Sequence, residues 1–334
     1  MKKTLIIAEA GVNHNGDINL AHKLIDEACQ AGADIIKFQS FNPSLVTTSN
    51  AKKANYQIEK KSLNESQQEM LSKLKLSEKD HFELVKHCNQ KKIEFLSTAF
   101  DQESIDLLSK LNLKRIKVPS GEVTNLPYLR NLILLKKPLI ISTGMCDLND
   151  IKLTLEEIYK LGLKKNDITL LHCSTEYPVP IKNINLNAMI TLKNKFKIDI
   201  GYSDHSLGIE VPIAAAALGA KVIEKHLTLD KNFPGPDHRA SIEIKEFKKM
   251  VESIRNIDIA LGSGEKYPSQ MELTNRKLVR KSIVATKTIK KGEIFTSSNL
   301  STKRPGSGIS PMEWDQIIGR KSEYDFQKDD LIKW

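Results

Sequence analysis

The chain has 334 residues, 40% of them hydrophobic and 28% charged, which suits a folded globular protein of one or two domains. Its 51 Lys and Arg against 41 Asp and Glu give a formal charge of +10, but these cations are spread along the chain, through every expected helix except 209–218. Aromatics make up only 6%, so the pattern excludes a nucleic-acid-binding stripe. No apolar run reaches membrane-spanning length, nothing resembles a secretory signal, and Cys29, Cys88, Cys146 and Cys173 form no C-x-x-C pair, so a reduced cytoplasmic protein is expected.

Short apolar runs alternate with amphipathic stretches along most of the chain. Strands are expected over 5–10, 35–39, 93–98, 115–119, 139–142, 168–172, 198–202 and 221–225. Helices are expected over 19–31, 77–90, 102–111, 126–134, 148–161, 187–196, 209–218 and 245–261. Gly32, Asn112, Gly162, Gly219 and Gly262 stand as helix stops. Eight strands, each followed by a helix, is the count for an α/β fold of the (β/α)8 TIM-barrel type. A doubly wound open sheet is the alternative, but its glycine-rich nucleotide fingerprint is missing. The barrel is assigned to 1–262. Residues 263–280 are polar without a clean period and are expected to be a linker. Residues 281–334 read as a small β-rich domain with turn signals at Lys291-Gly292 and Pro305-Gly306, a size that is marginal alone.

The most informative run is GYSDHSLGIEVPIAAAALGAKVIEKHLTLDKNFPGPDHR, from Gly201 to Arg239. His205 and His226 each follow an expected strand, and the helix between them implies a right-handed crossover. Both therefore emerge at one end of one sheet, among Asp204, Glu224 and Asp237. A lone histidine would read as structural; two at equivalent strand ends beside three carboxylates read as a metal site. Barrel chemistry lies at the carboxyl ends of strands. Those ends also hold Glu9, Lys37, Gln39, Ser97-Thr98, Lys117, Ser120-Gly121-Glu122, Ser142, Ser174, Tyr177 and Ser203. Lys37 and Lys117 sit in apolar strands, where an ammonium is costly unless it meets an anion. Pairing with Glu9 or Glu122 would satisfy them structurally. Two lysines among several hydroxyls better suit a phosphate and a carboxylate, and no Walker-type loop points to a nucleotide. Ordinary turn chemistry accounts for serines at such places equally well.

The segments IIAEAGVNHNGD, IKFQSF, KVPSGE, ISTGM, LHCSTEYP, GYSDHSLG, IEKHLTLD and GPDH, in this order, with KRPGSGI in the tail, resemble the sialic acid synthase family. The tail resembles that family's antifreeze-protein-like (SAF) domain. The resemblance implies condensation of phosphoenolpyruvate with an open-chain N-acetylated hexosamine, giving a nine-carbon 2-keto sugar acid and phosphate by carbon–oxygen cleavage. It implies a divalent metal on His205 and His226, manganese first, with magnesium or cobalt as alternatives. Lys37, Lys117, Ser142 and Ser203, with Gln39 and Ser174, match phosphoenolpyruvate-binding positions. Glu9 and Glu122 match an acidic pair near the reacting carbons, with Glu122 the first choice to stabilise the cation at carbon 2 and activate water. Tyr177, Glu224 and Asp237 match sugar-side positions, and Glu224 is counted with the catalytic carboxylates. Arg304 matches an arginine that reaches the partner's barrel in a domain-swapped homodimer. Among sugars, 2,4-diacetamido-2,4,6-trideoxymannose, giving legionaminic acid, comes first. N-acetylmannosamine, giving neuraminic acid, and then the altro sugar of pseudaminic acid follow. Two other classes stay open: a Schiff-base aldolase using Lys117 or Lys37, and a non-catalytic carbohydrate- or ice-binding protein.

Overall fold

Eight parallel strands close on themselves in a computed structural model that describes residues 3–54, 57 and 65–334. They are β1 (Leu5–Gly11), β2 (Ile35–Ser40), β3 (Glu94–Ala99), β4 (Ile116–Val118), β5 (Leu139–Ser142), β6 (Ile168–His172), β7 (Asp199–Asp204) and β8 (Val222–Thr228). Each pairs with the next in sequence, and β1 pairs with β8 from Leu5↔Val222 to Glu9↔His226. That closure is the expected TIM barrel and rules out the open sheet. A short β9 (Ile242–Glu243) adds to the end of β8.

The strands are continuous apolar runs because helices cover their outer side. Every residue of β8 is buried, and so is all of β1 after Leu5. The covering helices begin at side-chain caps. Asp17, Ser77, Asp101, Asn125 and Asp147 each accept from a backbone N–H of their first turn, which satisfies donors the helix cannot pair itself. All five expected stops take positive φ.

Gly11 has a special place. The β1–β2 register shifts between Glu9 and Gly11, and Gly11 has a φ of +53°. A Cβ there would stand 3.3 Å from Glu9 Oε1 and 3.5 Å from both Gln39 Nε2 and Asp237 Oδ2. The bulge and the missing side chain leave room for three polar groups at the rim.

Two helices between β2 and β3, Pro43–Val46 and Gln67–Leu74, were not expected from the sequence. The second starts at a reciprocal capping box between Ser66 and Glu69, easily lost in a polar stretch. The chain forms two units, Met1–Ser263 and Gly264–Trp334. In the second, helix Gln270–Val279 lies in the stretch expected as linker and is started by a Ser269–Glu272 capping box; none of its residues is buried. Antiparallel strands β10 (Ser282–Ala285) and β11 (Leu300–Lys303) follow, around a core of Ile283, Ile289, Phe295, Leu300, Ile317 and Phe326. All four cysteines are free thiols, and among the described residues no helix is long and apolar enough to cross a membrane.

Candidate active site

At the carboxyl ends of the strands lies a cavity of about 270 Å³. All the expected site residues line it except Glu122, Ser174 and Arg304. Alternation along the strands explains the gathering: on β8, Glu224 and His226 face the cavity, and Lys225 between them faces away. Lys225 is fully buried and bonds the Asp204 carboxylate and, at 2.7 Å, the Ser206 carbonyl. Asp204 and Lys225 are thus a structural pair beside the site.

The charged floor is built on two lysines, 4% and 2% exposed. Lys37 Nζ lies 2.9 Å from Glu9 Oε2 and 3.5 Å from Glu224 Oε2. It also donates to Thr98 Oγ1 at 3.3 Å. Lys117 Nζ donates to Ser142 Oγ at 2.6 Å and lies 3.7 Å from Glu224 Oε1. Ser203 Oγ donates to Glu224 Oε1 at 2.9 Å, and Gln39 Nε2 to Glu9 Oε1 at 3.4 Å.

These contacts pull two buried carboxyls apart. Burial pushes Glu9 up to about 7 against the opposing pull of Lys37. Burial also pushes Glu224 upward, but Lys117, Lys37 and the Ser203 hydroxyl outweigh it and hold it well below the usual carboxylate range. Burial lowers Lys117, against the pull of Glu224, while in Lys37 the carboxylates overcome burial and raise the ammonium. Asp237 rises to about 6 through burial, opposed by Lys37.

His205 and His226 have ring centroids 5.4 Å apart. The Tyr177 ring packs 4.1 Å from His205 and stands edge-on to His226 at 5.8 Å. His205 Nδ1 donates to the Ser174 carbonyl, which leaves its Nε2 lone pair available. His226 Nδ1 is buried without a hydrogen-bond partner, and its nearest carboxylate oxygen is Asp237 Oδ2 at 3.8 Å. Burial pulls His205 down to about 4. Burial, then the neighbouring His205 and Lys37, hold His226 well below its usual range. Both imidazoles are therefore neutral near pH 7, the form that ligates a metal. Among the described residues no group of three or more His, Cys, Asp or Glu side chains stands ready as a ligand set. The two imidazoles, one with an orphaned buried nitrogen, fit a divalent cation that keeps open positions for water and substrate.

Three expected residues stand apart. Glu122 accepts from Asn125 Nδ2 at 2.6 Å on an exposed turn. The Ser174 hydroxyl donates to the Asn183 carbonyl at 3.2 Å, so Ser174 touches the site through its backbone. Arg304 lies in the second unit, where its Nε donates to the Val279 carbonyl at 3.0 Å. Thr98 and Ser120 were noted at strand ends without an assigned role, and both line the cavity. An apolar wall was missed altogether: Phe41, Val46, Met70, Leu71, Leu74 and Phe100. Apolar residues in sequence read as core, and no motif separates a core leucine from one that faces a cavity.

Residues 24–266 match the NeuB family and residues 280–334 match the SAF domain. The chain belongs to the NeuB family. It is 54% identical over 333 residues to N,N'-diacetyllegionaminic acid synthase of Campylobacter jejuni subsp. jejuni serotype O:2, covering 100% of both chains. It is 46% identical over 331 residues to the protein of the same name from Legionella pneumophila subsp. pneumophila, covering 98% of this chain and 93% of the relative. A solved N-acetylneuraminic acid (sialic acid) synthetase from Leptospira borgpetersenii serovar Hardjo-bovis, in complex with citrate, aligns with a TM-score of 0.72 at 33% identity, covering 82% of this chain and 90% of that one. The resemblance read from the motifs is borne out, SAF tail included. In this NeuB-family barrel the matched region spans β2 to β8 and so contains both lysines and both histidines.

Proposed function

We propose that the protein is a phosphoenolpyruvate-condensing transferase that joins phosphoenolpyruvate to the open-chain form of an N-acetylated hexosamine, yielding a nine-carbon 2-keto sugar acid and phosphate. One constellation carries it: two buried ammonium groups and two neutral imidazoles face the same small cavity. Lys37 and Lys117 offer paired charge to a phosphate and a carboxylate, and Ser142 and Ser203 add hydroxyl donors. The lysines stay in place as charge moves onto the departing phosphate, so little reorganisation accompanies the reaction.

His205 and His226 would hold a divalent cation, manganese first with magnesium or cobalt as alternatives, and Asp237 stands beside His226. When bound, the ion supplies Lewis-acid polarisation of the aldehyde oxygen. Carbon 3 of phosphoenolpyruvate attacks the aldehyde carbon, and positive charge develops at carbon 2. Glu224, kept ionised by its lysines, stabilises that charge. Glu9, whose proton leaves near neutrality, takes a proton from the water that attacks carbon 2. The aldehyde oxygen, left as an alkoxide, takes up the proton that Glu9 removed from water. The new carbon-2 hydroxyl gives its proton to the departing phosphate as the carbon–oxygen bond breaks and the ketone forms. Because Glu122 stands outside the cavity lining, Glu224 and Glu9 divide the two tasks that the resemblance first gave to Glu122. Tyr177 and Asp237 serve the sugar side.

The sugar is 2,4-diacetamido-2,4,6-trideoxymannose and the product legionaminic acid. Identities of 54% and 46% to two relatives carrying that product's name support this choice over N-acetylmannosamine and the pseudaminic precursor. The reading includes a cytoplasmic, domain-swapped homodimer in which Arg304 meets the partner's sugar. A phosphate-release assay comparing kcat/KM for the three sugars tests it. Preference for N-acetylmannosamine would move the assignment to neuraminic acid, and no phosphate release with any sugar would sink it.

One observation favours a second chemistry: a lysine whose ammonium is lowered by burial, as Lys117 is, suits Schiff-base formation. Borohydride with substrate would trap a Schiff base, and chelator would leave such an enzyme active.

A further inference from the structure

The cavity has two chemically distinct halves. One holds the lysines and the carboxylates. The other is the apolar wall, carried by the ends of β2 and β3 and by helices Pro43–Val46 and Gln67–Leu74. Phe41 and Phe100 meet edge to face at 6.4 Å. Phe41, Met70 and Leu74 are buried, while Val46, Leu71 and Phe100 are half-buried. These residues form a small cluster of their own, separate from the main barrel core. The wall is thus more than overflow of that core.

Charge decides what can lie where. A phosphate and a carboxylate pressed against this wall would lose water and gain no donor, so phosphoenolpyruvate belongs to the lysine half. The sugar's aldehyde must approach both phosphoenolpyruvate and the histidines. The far end of the open chain then has the wall to occupy. A methyl group gains by leaving water against Phe41, Val46, Met70, Leu71, Leu74 and Phe100, whose side chains offer a hydroxyl no strong partner; Gln57 and Gln67 are the amides that line the cavity from the same connection between β2 and β3.

We infer that this wall receives the distal end of the sugar, the C6 methyl and the methyl of the 4-acetamido group, and that it selects a 6-deoxy substrate over its 6-hydroxy counterpart. The inference rests on the condensation proposed above. It makes Leu71 and Val46, half-open to the cavity, specificity-determining residues.

The test compares 2,4-diacetamido-2,4,6-trideoxymannose with 2,4-diacetamido-2,4-dideoxymannose, which differ only by the hydroxyl on carbon 6. Phosphate release is measured on the full chain. Wild type should favour the deoxy sugar by roughly 10–200-fold in kcat/KM, the range a hydrophobic pocket achieves on such a difference. Leu71→Asn should cut that ratio by about 10-fold or more and leave the KM for phosphoenolpyruvate unchanged. Leu71→Met should keep the ratio. Should Leu71→Asn fail to fold, Val46→Thr is close in volume and should lower the ratio in the same direction. A folded Leu71→Asn or Val46→Thr variant with the wild-type ratio overturns the inference, and so does a wild type that uses both sugars equally; in both cases the condensation itself stands. Wild type that releases phosphate with neither sugar overturns the condensation and the inference with it.

Discussion

His205 and His226 stand 5.4 Å apart, ring to ring, at the ends of two adjacent parallel strands. Their neutrality, imposed chiefly by burial, would be a liability for charge pairing and is an asset for metal ligation. In the proposed metal site these are two protein ligands, and losing either would leave too few to retain the ion. His205→Ala and His226→Ala should each abolish condensation while circular dichroism shows a folded barrel. Isothermal titration with manganese should show binding to wild type and none to either variant. Chelation should silence wild type, and manganese should restore it. Full activity after verified metal removal would refute the assignment.

Asp204 and Lys225 predict a purely structural effect. Both are buried, and the Lys225 ammonium has Asp204 and the Ser206 carbonyl as partners. Removing one member of a buried pair leaves the other charge uncompensated. Asp204→Ala should therefore lower unfolding free energy by about 3–5 kcal/mol. Chemical denaturation measures this directly. A change below about 1 kcal/mol would mean that Lys225 finds water or another anion.

Glu9 sets a pH signature. Burial raises its carboxyl from 4.5 to about 7, so the folded state binds the proton more tightly than the unfolded chain. Its stabilising contribution is present below about pH 4.5 and is lost as pH rises through about 7. Glu9→Gln cannot titrate, so wild type should lose stability relative to that variant across this window. In activity, kcat/KM should rise as Glu9 deprotonates toward a plateau above about pH 7. Glu9→Gln should flatten that limb and lose roughly 10²–10⁴-fold in rate, the scale of general base catalysis. A variant that keeps the wild-type pH profile would remove Glu9 from this role.

Strand and helix positions were legible because a buried parallel barrel writes unbroken apolar runs, and its helices carry capping and stop residues at their ends. The histidines and lysines were legible for a related reason: ionisable residues at apolar strand ends need partners. Helix Gln67–Leu74 was not, because eight residues between polar segments give too short a period. The same holds for helix Gln270–Val279, whose residues are all unburied, so it has no apolar face to announce it. Glu122 follows a strand end in sequence, and Glu9 lies near the end of another. Only the three-dimensional turn shows that its carboxylate bonds Asn125 instead of lining the cavity.

Arg304 lies in the SAF-matched region and is exposed, with its Nε bonded to the Val279 carbonyl. That bond fixes one edge of a planar guanidinium, whose fork suits the carbonyl oxygen of an N-acetyl group. The proposed dimer places it over the partner's barrel. Losing a hydrogen bond to a charged group costs roughly 1.5–3 kcal/mol, or about 10–150-fold in affinity. Arg304→Ala should raise the KM for the amino sugar by that order and change the KM for phosphoenolpyruvate little. Reach across subunits is tested by mixing. His226→Ala subunits, with a dead barrel and an intact arginine, are unfolded and reassociated with Arg304→Ala subunits, which have an intact barrel. In a swapped dimer one intact barrel meets one intact partner arginine, so activity should exceed that of either parent. Mixed dimers that form without any gain would show that Arg304 acts within its own chain or not at all.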